Sequence, residues 1–302
     1  MAIAEQCATV RETVSFEGVG LHTGEQCRIA IHPVSEARLP CEITLRKGAS
    51  VFPARWNHVV DTTRATVLGD GATRISTVEH LMAALWMTGI THCEIEVLQG
   101  DEIPILDGSA LPFVEALGAV KSMVDAITPS PSPDTQQLLW SAEAQLQPHA
   151  EASLPHSMSG LFQARHADRY LGLAFGGGTL FGYIDFPAPL GVQAGAFPLA
   201  AAAEQIAPAR TFGFLREVEA LRQQGLAQGG ALDNALVIDE TGYHNPARFE
   251  DEPLRHKLLD VLGDLYLCGA RLTGFTLVAI KPGHALNAQL ARQVAQALFA
   301  ED

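Results

Sequence analysis

Three residues that could bind a metal ion are spaced four apart in one predicted helix. His256, Asp260 and Asp264 share a face of that helix, because side chains four residues apart lie one above another. Leucines and a valine surround them, so we expect the helix to be largely buried. An imidazole and two carboxylates are costly to bury without a partner, and a divalent metal is one such partner. Zinc accepts nitrogen and oxygen ligands, and it would need a third ligand from elsewhere in the chain.

A purely structural interpretation accounts for the same helix. Arg255 and Lys257 could pair with Asp260 and Asp264, which would leave His256 hydrogen-bonded in the core. The segment alone does not decide between the two interpretations.

A second group of candidates lies at the start of another predicted helix. Glu79 and His80 open a segment that we expect to end as a helix at Gly89. Ser76 followed by Glu79 is also a capping-box pattern, so this glutamate has a structural explanation that needs no catalytic role. His284 follows a predicted strand. Two histidines, one carboxylate and a neighbouring glutamate are typical of a hydrolytic zinc site with one open position.

The predicted elements form two similar halves of an α+β protein. Each half has a buried helix with a histidine near its start (His80, His256), a glycine that ends it, and then a strand. Three prolines in alternate positions mark residues 128–134 as a linker. We therefore predict an N-terminal α+β domain at 1–127 and a C-terminal one at 135–302. Two facing α/β-sandwich domains would bring the helix starts together, with the active site between them.

Composition restricts the classes of function. The chain of 302 residues, 47% hydrophobic and 18% charged, is typical of a soluble globular protein. It has no apolar run long enough for a transmembrane segment and no signal-peptide pattern, so we expect it in the cytoplasm. Its formal charge of −14 argues against nucleic acid as a partner. Five scattered cysteines predict free, mostly buried thiols, so a zinc site would need histidine and carboxylate ligands.

Separated motifs, in order along the chain, resemble those of one enzyme family. The motifs are Gly18-Val-Gly-Leu-His-Thr-Gly, Ile75-Ser-Thr-Val-Glu-His, Ile103-Pro-Ile-Leu-Asp-Gly-Ser, Ala209-Arg-Thr-Phe-Gly-Phe, Arg248-Phe-Glu-Asp-Glu and His256-Lys-x-x-Asp-x-x-Gly-Asp. They are similar to motifs of the UDP-3-O-acyl-N-acetylglucosamine deacetylases (LpxC), the zinc enzymes of the committed step of lipid A synthesis. The resemblance covers most of 9–127 and 205–299.

The resemblance implies a metal site and a substrate. It assigns His80, His256 and Asp260 as ligands of Zn²⁺, with Fe²⁺ as the alternative ion in the cell, and Glu79 as the general base. The implied substrate is a UDP-linked acylated amino sugar, from which the enzyme releases acetate. We expect the chain to act as a monomer.

The resemblance also implies roles for residues around the metal. His284 would be the cationic acid that meets the oxyanion and the leaving amine, and Asp264 would orient it. Lys257 would lie beside the site and the diphosphate, and Thr211 would offer its hydroxyl to the substrate carbonyl. Two rings would lie near the acyl and glucosamine groups, Phe212 and Phe214.

The chain departs from the family pattern in two places. The stretch Asp61-Thr-Thr-Arg-Ala65-Thr has no cysteine where some members place one beside the metal. The region 128–204 does not align residue by residue, which leaves the acyl-chain length open. Within it, 190–203 could be core packing or the wall of an apolar channel, and it is our candidate for the channel that the acyl chain of the implied substrate needs. Two other functions remain as alternatives: a catalytically inactive binding or regulatory protein of the same fold, and a zinc amidase acting on another N-acetyl sugar.

Overall fold

The computed structural model describes residues 2–3, 7–37, 41–124 and 160–299. Its strands are β1 Ala2–Ile3, β2 Ala8–Val10, β3 Val14–Val19, β4 Gln26–His32, β5 Glu42–Lys47, β6 Ser50–Pro53, β7 Val59–Asp61, β8 Val67–Gly69, β9 Arg74–Ile75, β10 His92–Gln99, β11 Lys121–Met123, β12 Leu161–His166, β13 Arg169–Phe175, β14 Thr179–Asp185, β15 Val192–Pro198, β16 Phe212–Phe214, β17 Leu236–Ile238, β18 Leu272–Thr273 and β19 Phe275–Ile280. Its α-helices are α1 Glu79–Thr88, α2 Leu111–Val120, α3 Ala202–Gln205, α4 Leu215–Gln223, α5 Glu252–Tyr266 and α6 His284–Leu298. The 3₁₀ helices are Trp56–His58 and Leu199–Ala201.

Two five-stranded sheets share one topology. The order is β3-β4-β10-β5-β6 in the first sheet and β12-β13-β19-β14-β15 in the second. In both sheets, the strand that comes last along the chain takes the central position. It is antiparallel to one neighbour and parallel to the other, as the β10–β5 and β19–β14 pairs show. The two halves are therefore repeats of one unit, which confirms the duplication predicted from the sequence.

The helices repeat in the same way. α1 and α5 come before the central strands β10 and β19, while α2 and α6 follow them. Each half also has extra elements before its central helix. They lie between β6 and α1 in the first half and between β15 and α5 in the second. These are the small sheet β7-β8-β9 in the first half, and α3, β16, α4 and β17 in the second. The fold is α+β as predicted, while the linker predicted at 128–134 lies outside the described residues.

The helices form the middle of the molecule and the two large sheets lie outside them. α5 packs on β14 and β15, and α6 packs on β12 and β13. In the first half, the ring of Phe113 on α2 meets that of Phe16 on β3, with centroids 4.7 Å apart. α1 packs along α5, so one continuous core joins the two halves.

A glycine allows the two central helices to touch. A Cβ added at Gly263 of α5 would lie 2.0 Å from the Glu79 main-chain oxygen at the start of α1 and 2.8 Å from the adjoining carbon. Real Cβ atoms do not come this close to main-chain atoms, so only glycine permits the contact. The residues that open α1 are thereby brought against the middle of α5.

Strand and helix bounds differ from the predictions mainly at their ends. Apolar alternation in the sequence predicts a strand over 275–280, and β19 has these bounds. The sequence also predicts a closing helix from Asn287 to Phe299, but α6 begins at His284. A third segment, Arg64 to Leu68, reads as a strand, but β8 begins at Val67, because Arg64 has a positive φ of 66° that interrupts extended backbone.

Candidate metal centre

Glu79 is the first residue of α1, so the capping-box prediction is wrong. Thr77 has a φ of 57°, which lies outside the right-handed helical region, and the N-cap position falls at Val78. The capping interaction predicted with Ser76 is therefore not made. Instead, the buried Glu79 carboxylate accepts the N–H of Thr66 through Oε2 at 3.0 Å. This contact fixes one carboxylate oxygen.

Two imidazoles and one carboxylate meet where α1 packs against α5. Nε2 of His80 lies 3.8 Å from Oδ1 of Asp260, and Nε2 of His256 lies 3.4 Å from the same oxygen. All three residues are buried. Although it is buried, Asp260 Oδ1 has no hydrogen-bond partner among the described residues. Three donor atoms converging from both halves on one small space fit a divalent cation, because an ion would compensate the unpaired oxygen.

The tautomer of His256 suits a metal ligand. Its Nδ1 lies 3.1 Å from the carbonyl oxygen of Ala209. A carbonyl can only accept, so Nδ1 carries the proton and Nε2 keeps a free lone pair. Metal-binding histidines commonly have such a partner on the second ring nitrogen. The lone pair of Nε2 is thus available on the side of Asp260.

The purely structural interpretation expected Arg255 and Lys257 to pair with Asp260 and Asp264, and only one such pair is found among the described residues. Nζ of Lys257 donates to Oδ2 of Asp260 at 2.5 Å. Arg255 pairs with Asp251 at 2.6 Å, whereas Asp264 binds other groups. The lysine holds one oxygen of Asp260 and leaves the other oxygen facing the histidines.

A second cluster shares Asp260 with the first. His284, at the start of α6, donates from Nδ1 to Oδ2 of Asp264 at 2.9 Å. Its Nε2 points the other way, 4.0 Å from Oε1 of Glu79 and 3.9 Å from Oδ2 of Asp260. Nδ2 of Asn287, one turn along α6, also donates to Asp264 at 2.9 Å. Asp264 therefore holds the ring of His284 with its free nitrogen directed at the candidate metal site.

Burial and neighbouring charge shift the pKa values of the site in a consistent pattern. Burial lowers the pKa of His80 to about 3, so this imidazole is neutral and can bind a cation. Burial also acts against the charged form of His284, but the carboxylates of Asp264 and Glu79 outweigh it and raise its pKa. Burial raises the pKa of Glu79, which the charge of His284 only partly offsets. A cation bound nearby would favour ionised Glu79.

Three aromatic rings lead away from the site. The ring of Phe212, on β16, lies 6.1 Å from that of His256, edge-on. Phe186 contacts Phe212 and Phe214 with centroid separations of 5.4 and 5.9 Å. Beyond them is a cavity of about 410 Å³, whose lining combines the apolar Phe214, Leu215 and Ile238 with polar residues, namely Arg216, Asp239, Glu240 and Thr241. Thr211 immediately precedes β16 and is half-buried.

Comparison with models of known protein families gives a match over most of the chain. The family model described as UDP-3-O-acyl N-acetylglycosamine deacetylase (LpxC) matches residues 7–140 and 178–296. The chain belongs to the LpxC family.

Relatives in distant bacteria support this membership. A UDP-3-O-acyl-N-acetylglucosamine deacetylase of Leptospira biflexa is 36% identical over 293 residues, which cover 94% of this chain and 88% of the relative. Deacetylases of the same name from Myxococcus xanthus and Aquifex aeolicus are 38% and 36% identical, each over 95% of this chain and over 85% and 92% of the relative. The LpxC model leaves only 141–177 unmatched between its two segments, so the unaligned region is narrower than the predicted 128–204.

Two residues next to the candidate LpxC site were missed by sequence reasoning. Thr66 donates its hydroxyl to Oδ1 of Asp264 at 2.5 Å, and Asn287 donates to the other oxygen. Asn287 lies three residues after His284, so the helical spacing of α6 held a usable signal. For Thr66 the sequence held none, because 198 residues separate it from its partner.

The cysteines lie outside the candidate metal groups. All five are free and buried, as predicted, and neither candidate metal group includes one. Ala65 is buried beside Thr66. None of the described helices has the length and hydropathy to cross a membrane.

Proposed function

We propose that this chain removes the N-acetyl group from UDP-3-O-acyl-N-acetylglucosamine as a zinc-dependent amide hydrolase, releasing acetate in the committed step of lipid A synthesis. The observation that carries the proposal is the buried, unpaired Oδ1 of Asp260, which meets imidazoles from both halves of the chain. The membership of the LpxC family and the adjoining Glu79 and His284 support the same reaction.

The proposed metal ligands are His80, His256 and Asp260. Two neutral imidazoles and one carboxylate suit Zn²⁺ in a hydrolytic site, and Fe²⁺ is the alternative ion in the cell. When bound, the ion would polarise an amide carbonyl and make water a better nucleophile. The hydrogen bond from His256 to Ala209 and the one from Lys257 to Asp260 hold two of these side chains ready.

Glu79 is the proposed general base. Its Oε2 is held by the N–H of Thr66, so Oε1 faces the space shared with His284 and the metal ligands. A carboxylate fixed in this way can remove a proton from water as the water attacks the carbonyl carbon. Burial strengthens its basicity by raising its pKa.

His284 is the proposed cation for the oxyanion and the proton donor to the departing amine. Asp264 holds Nδ1, so the proton on Nε2 points into the site. A fixed positive charge stabilises negative charge as it develops on the carbonyl oxygen, and the same proton can then pass to the nitrogen. Asp264 favours the charged ring and sets its orientation.

Substrate contacts are assigned by position. Lys257 lies beside Asp260 with part of its side chain exposed, so its charge is available to the diphosphate. Thr211 is assigned a hydrogen bond to the substrate carbonyl. Phe212 and Phe214 offer apolar surface to the sugar and the acyl chain. The oligomeric state and the cytoplasmic location remain predictions.

The acyl chain is assigned a path along the aromatic rings rather than along 190–203. Half of that segment is the edge strand β15, and Phe197 and Leu199 of the segment are buried in the core. This favours the core-packing interpretation. The ring series of Phe212, Phe186 and Phe214 instead connects the metal site with the cavity of about 410 Å³.

Replacing the proposed base tests the function. In Glu79→Gln, acetate release from UDP-3-O-acyl-N-acetylglucosamine should fall by about 10²- to 10⁴-fold, because a general base of this kind contributes that much. The zinc content should not change, since Glu79 is not a ligand. Glu96→Gln is the matched control, because Glu96 pairs with Arg46 and His32 on the outer face of the first sheet.

Other outcomes separate the alternative functions. If the Glu79→Gln enzyme were fully active, Glu79 would not be the general base. Bound zinc without turnover of any acylated UDP-sugar would identify a binding or regulatory protein. Turnover only of other N-acetyl sugars would identify a different amidase.

A further inference from the structure

A buried ion pair at the start of α5 makes contacts that the proposed reaction does not use. Glu252 is 0% exposed and Arg210 is 6% exposed, so both charges are removed from water. Oε1 of Glu252 accepts from Nε of Arg210 at 2.9 Å, and Oε2 accepts from its Nη2 at 3.2 Å. Oε2 also accepts the main-chain N–H of Arg248 at 2.6 Å.

The same glutamate binds the main chain of its partner. The N–H of Arg210 donates to Oε1 of Glu252 at 3.0 Å. That N–H belongs to the peptide group whose carbonyl is the oxygen of Ala209, which accepts from Nδ1 of His256. A trans peptide group is planar, with its N–H and C=O pointing in opposite directions. Holding the N–H therefore fixes the direction of the carbonyl.

The contacts of Glu252 and His256 with the Ala209–Arg210 peptide group form a closed ring with α5. Glu252 and His256 are four residues apart, so they lie on one face of α5, one turn apart. The helix holds the carboxylate and the imidazole at a fixed spacing, and the peptide group between Ala209 and Arg210 bridges them. The N–H of Thr211 donates to the carbonyl of Gly108 at 2.7 Å, which anchors the bridging segment to the first half.

We infer that Glu252 is a positioning residue of the metal site, because it fixes the peptide group that sets the tautomer and ring orientation of His256. The inference rests on the metal site of the proposed function. Among the described residues, the hydrogen bonds of the Glu252 side chain go to Arg210 and Arg248 and not to a proposed ligand atom, so it acts through Ala209. The carbonyl of Ala209 is the direct partner of His256, and loss of such a direct partner commonly changes metal affinity by about 10- to 100-fold.

A purely structural role for the ion pair makes a different prediction. If only the pairing of the two charges matters, any variant that removes the pair should lower the melting temperature and leave metal affinity of the folded protein unchanged. If the contact to the peptide group matters, metal affinity should follow the presence of a hydrogen-bond acceptor at position 252.

Two double variants separate these roles. Arg210→Met with Glu252→Gln removes both charges but keeps an acceptor for the main-chain N–H of residue 210. Arg210→Met with Glu252→Met also removes both charges and has a side chain of similar length, but it has no such acceptor. The two proteins therefore differ mainly in the contact to the peptide group.

The readout is Co²⁺ binding to the metal-free full chain, followed by visible absorption, with melting temperatures measured alongside. We expect the Kd of the Glu252→Met double variant to exceed that of the Glu252→Gln double variant by about 10- to 100-fold. Asp251→Asn is a further control. It removes a charge from the adjacent residue, which pairs with Arg255, and should bind Co²⁺ like the natural chain.

Glu252→Asp keeps the test decisive if the double variants do not fold. It retains the charge but draws the carboxylate back from the peptide group, so its Kd for Co²⁺ should rise several-fold. Equal Kd values for the two double variants, or for Glu252→Asp and the natural chain, would overturn the inference. Failure of the natural chain itself to bind Co²⁺ would instead overturn the proposed metal site.

Discussion

Two histidines at the site are held in the same way but by acceptors of different charge. Nδ1 of both His256 and His284 donates to an oxygen, so Nε2 of both rings faces the same space. The acceptor is the neutral carbonyl of Ala209 for the first ring and the carboxylate of Asp264 for the second. A carbonyl leaves the ring neutral and able to bind a metal, whereas a carboxylate stabilises the imidazolium. The charge of the acceptor on Nδ1 thus distinguishes the proposed metal ligand His256 from the proposed acid His284.

Asp264→Asn tests this division at the level of one residue. Asparagine can still accept a hydrogen bond, but it supplies no negative charge to stabilise a charged His284. We expect kcat to fall by about 10²-fold or more. Zinc content should be retained, because Asp264 is not a proposed ligand. If kcat of the Asp264→Asn enzyme were within twofold of that of the natural chain, the negative charge of Asp264 would not contribute to catalysis.

Single residues of the site could be predicted from the sequence to very different degrees. The four-residue spacing of His256, Asp260 and Asp264 correctly predicted that they share a buried helix face. Glu79 was ambiguous, because the pattern with Ser76 is a legitimate capping signal. The positive φ of Thr77, which the surrounding fold sets, excludes Thr77 from the helix, so that the helix begins at Glu79. The Glu79 side chain therefore does not cap the helix and can face the site.

At the scale of elements, the site depends on how closely α1 approaches α5. Gly263 lets the main chain of one helix touch the other, so the space between the proposed ligands is set by a residue without a side chain. Sequence patterns predicted both helices and the strand Phe275–Ile280, because helical and strand periodicities are local. They did not predict that His284 opens α6, since helix ends depend on tertiary contacts.

Gly263→Ala tests the helix contact. The added methyl group would overlap main-chain atoms of Glu79, which cannot rotate away, so α1 and α5 must separate. We expect the free energy of unfolding to fall by about 1–3 kcal/mol, as for other overpacked cores, and zinc affinity to fall with it. Denaturant unfolding and zinc titration measure the two effects.

Gly118→Ala is the matched control on α2. A Cβ at Gly118 would meet no described atom within 4 Å, so the substitution should raise the free energy of unfolding. The expected gain is about 0.4–1 kcal/mol. If Gly263→Ala were as stable as this control, the helix contact would not be as close as described.

At the scale of the whole molecule, the site is built between two copies of one unit. The proposed base and one proposed ligand come from α1 in the first half, and the other two proposed ligands and the proposed acid come from the second. Both halves carry their extra elements at the same point of the repeat. The repeat of helix and strand was visible in the sequence. The strand order was not, because it depends on pairing between distant residues.

Metal removal should therefore weaken the whole fold. An ion bound only by the folded chain adds stability of RT ln(1 + [L]/Kd), or about 2.7 kcal/mol when free zinc is a hundred times Kd. We expect a chelator to lower the melting temperature and added zinc to restore it. His80→Ala should show no such response to zinc, since it lacks the ligand from the first half. A melting temperature unaffected by zinc in the natural chain would contradict this prediction.

Anomalous diffraction at the zinc edge, from crystals of the zinc-loaded chain, tests the central claim most directly. The account predicts one strong peak about 2.0–2.2 Å from Nε2 of His80, Nε2 of His256 and Oδ1 of Asp260. No peak between α1 and α5, or a peak that lacks His80, would contradict a metal site shared by the two halves.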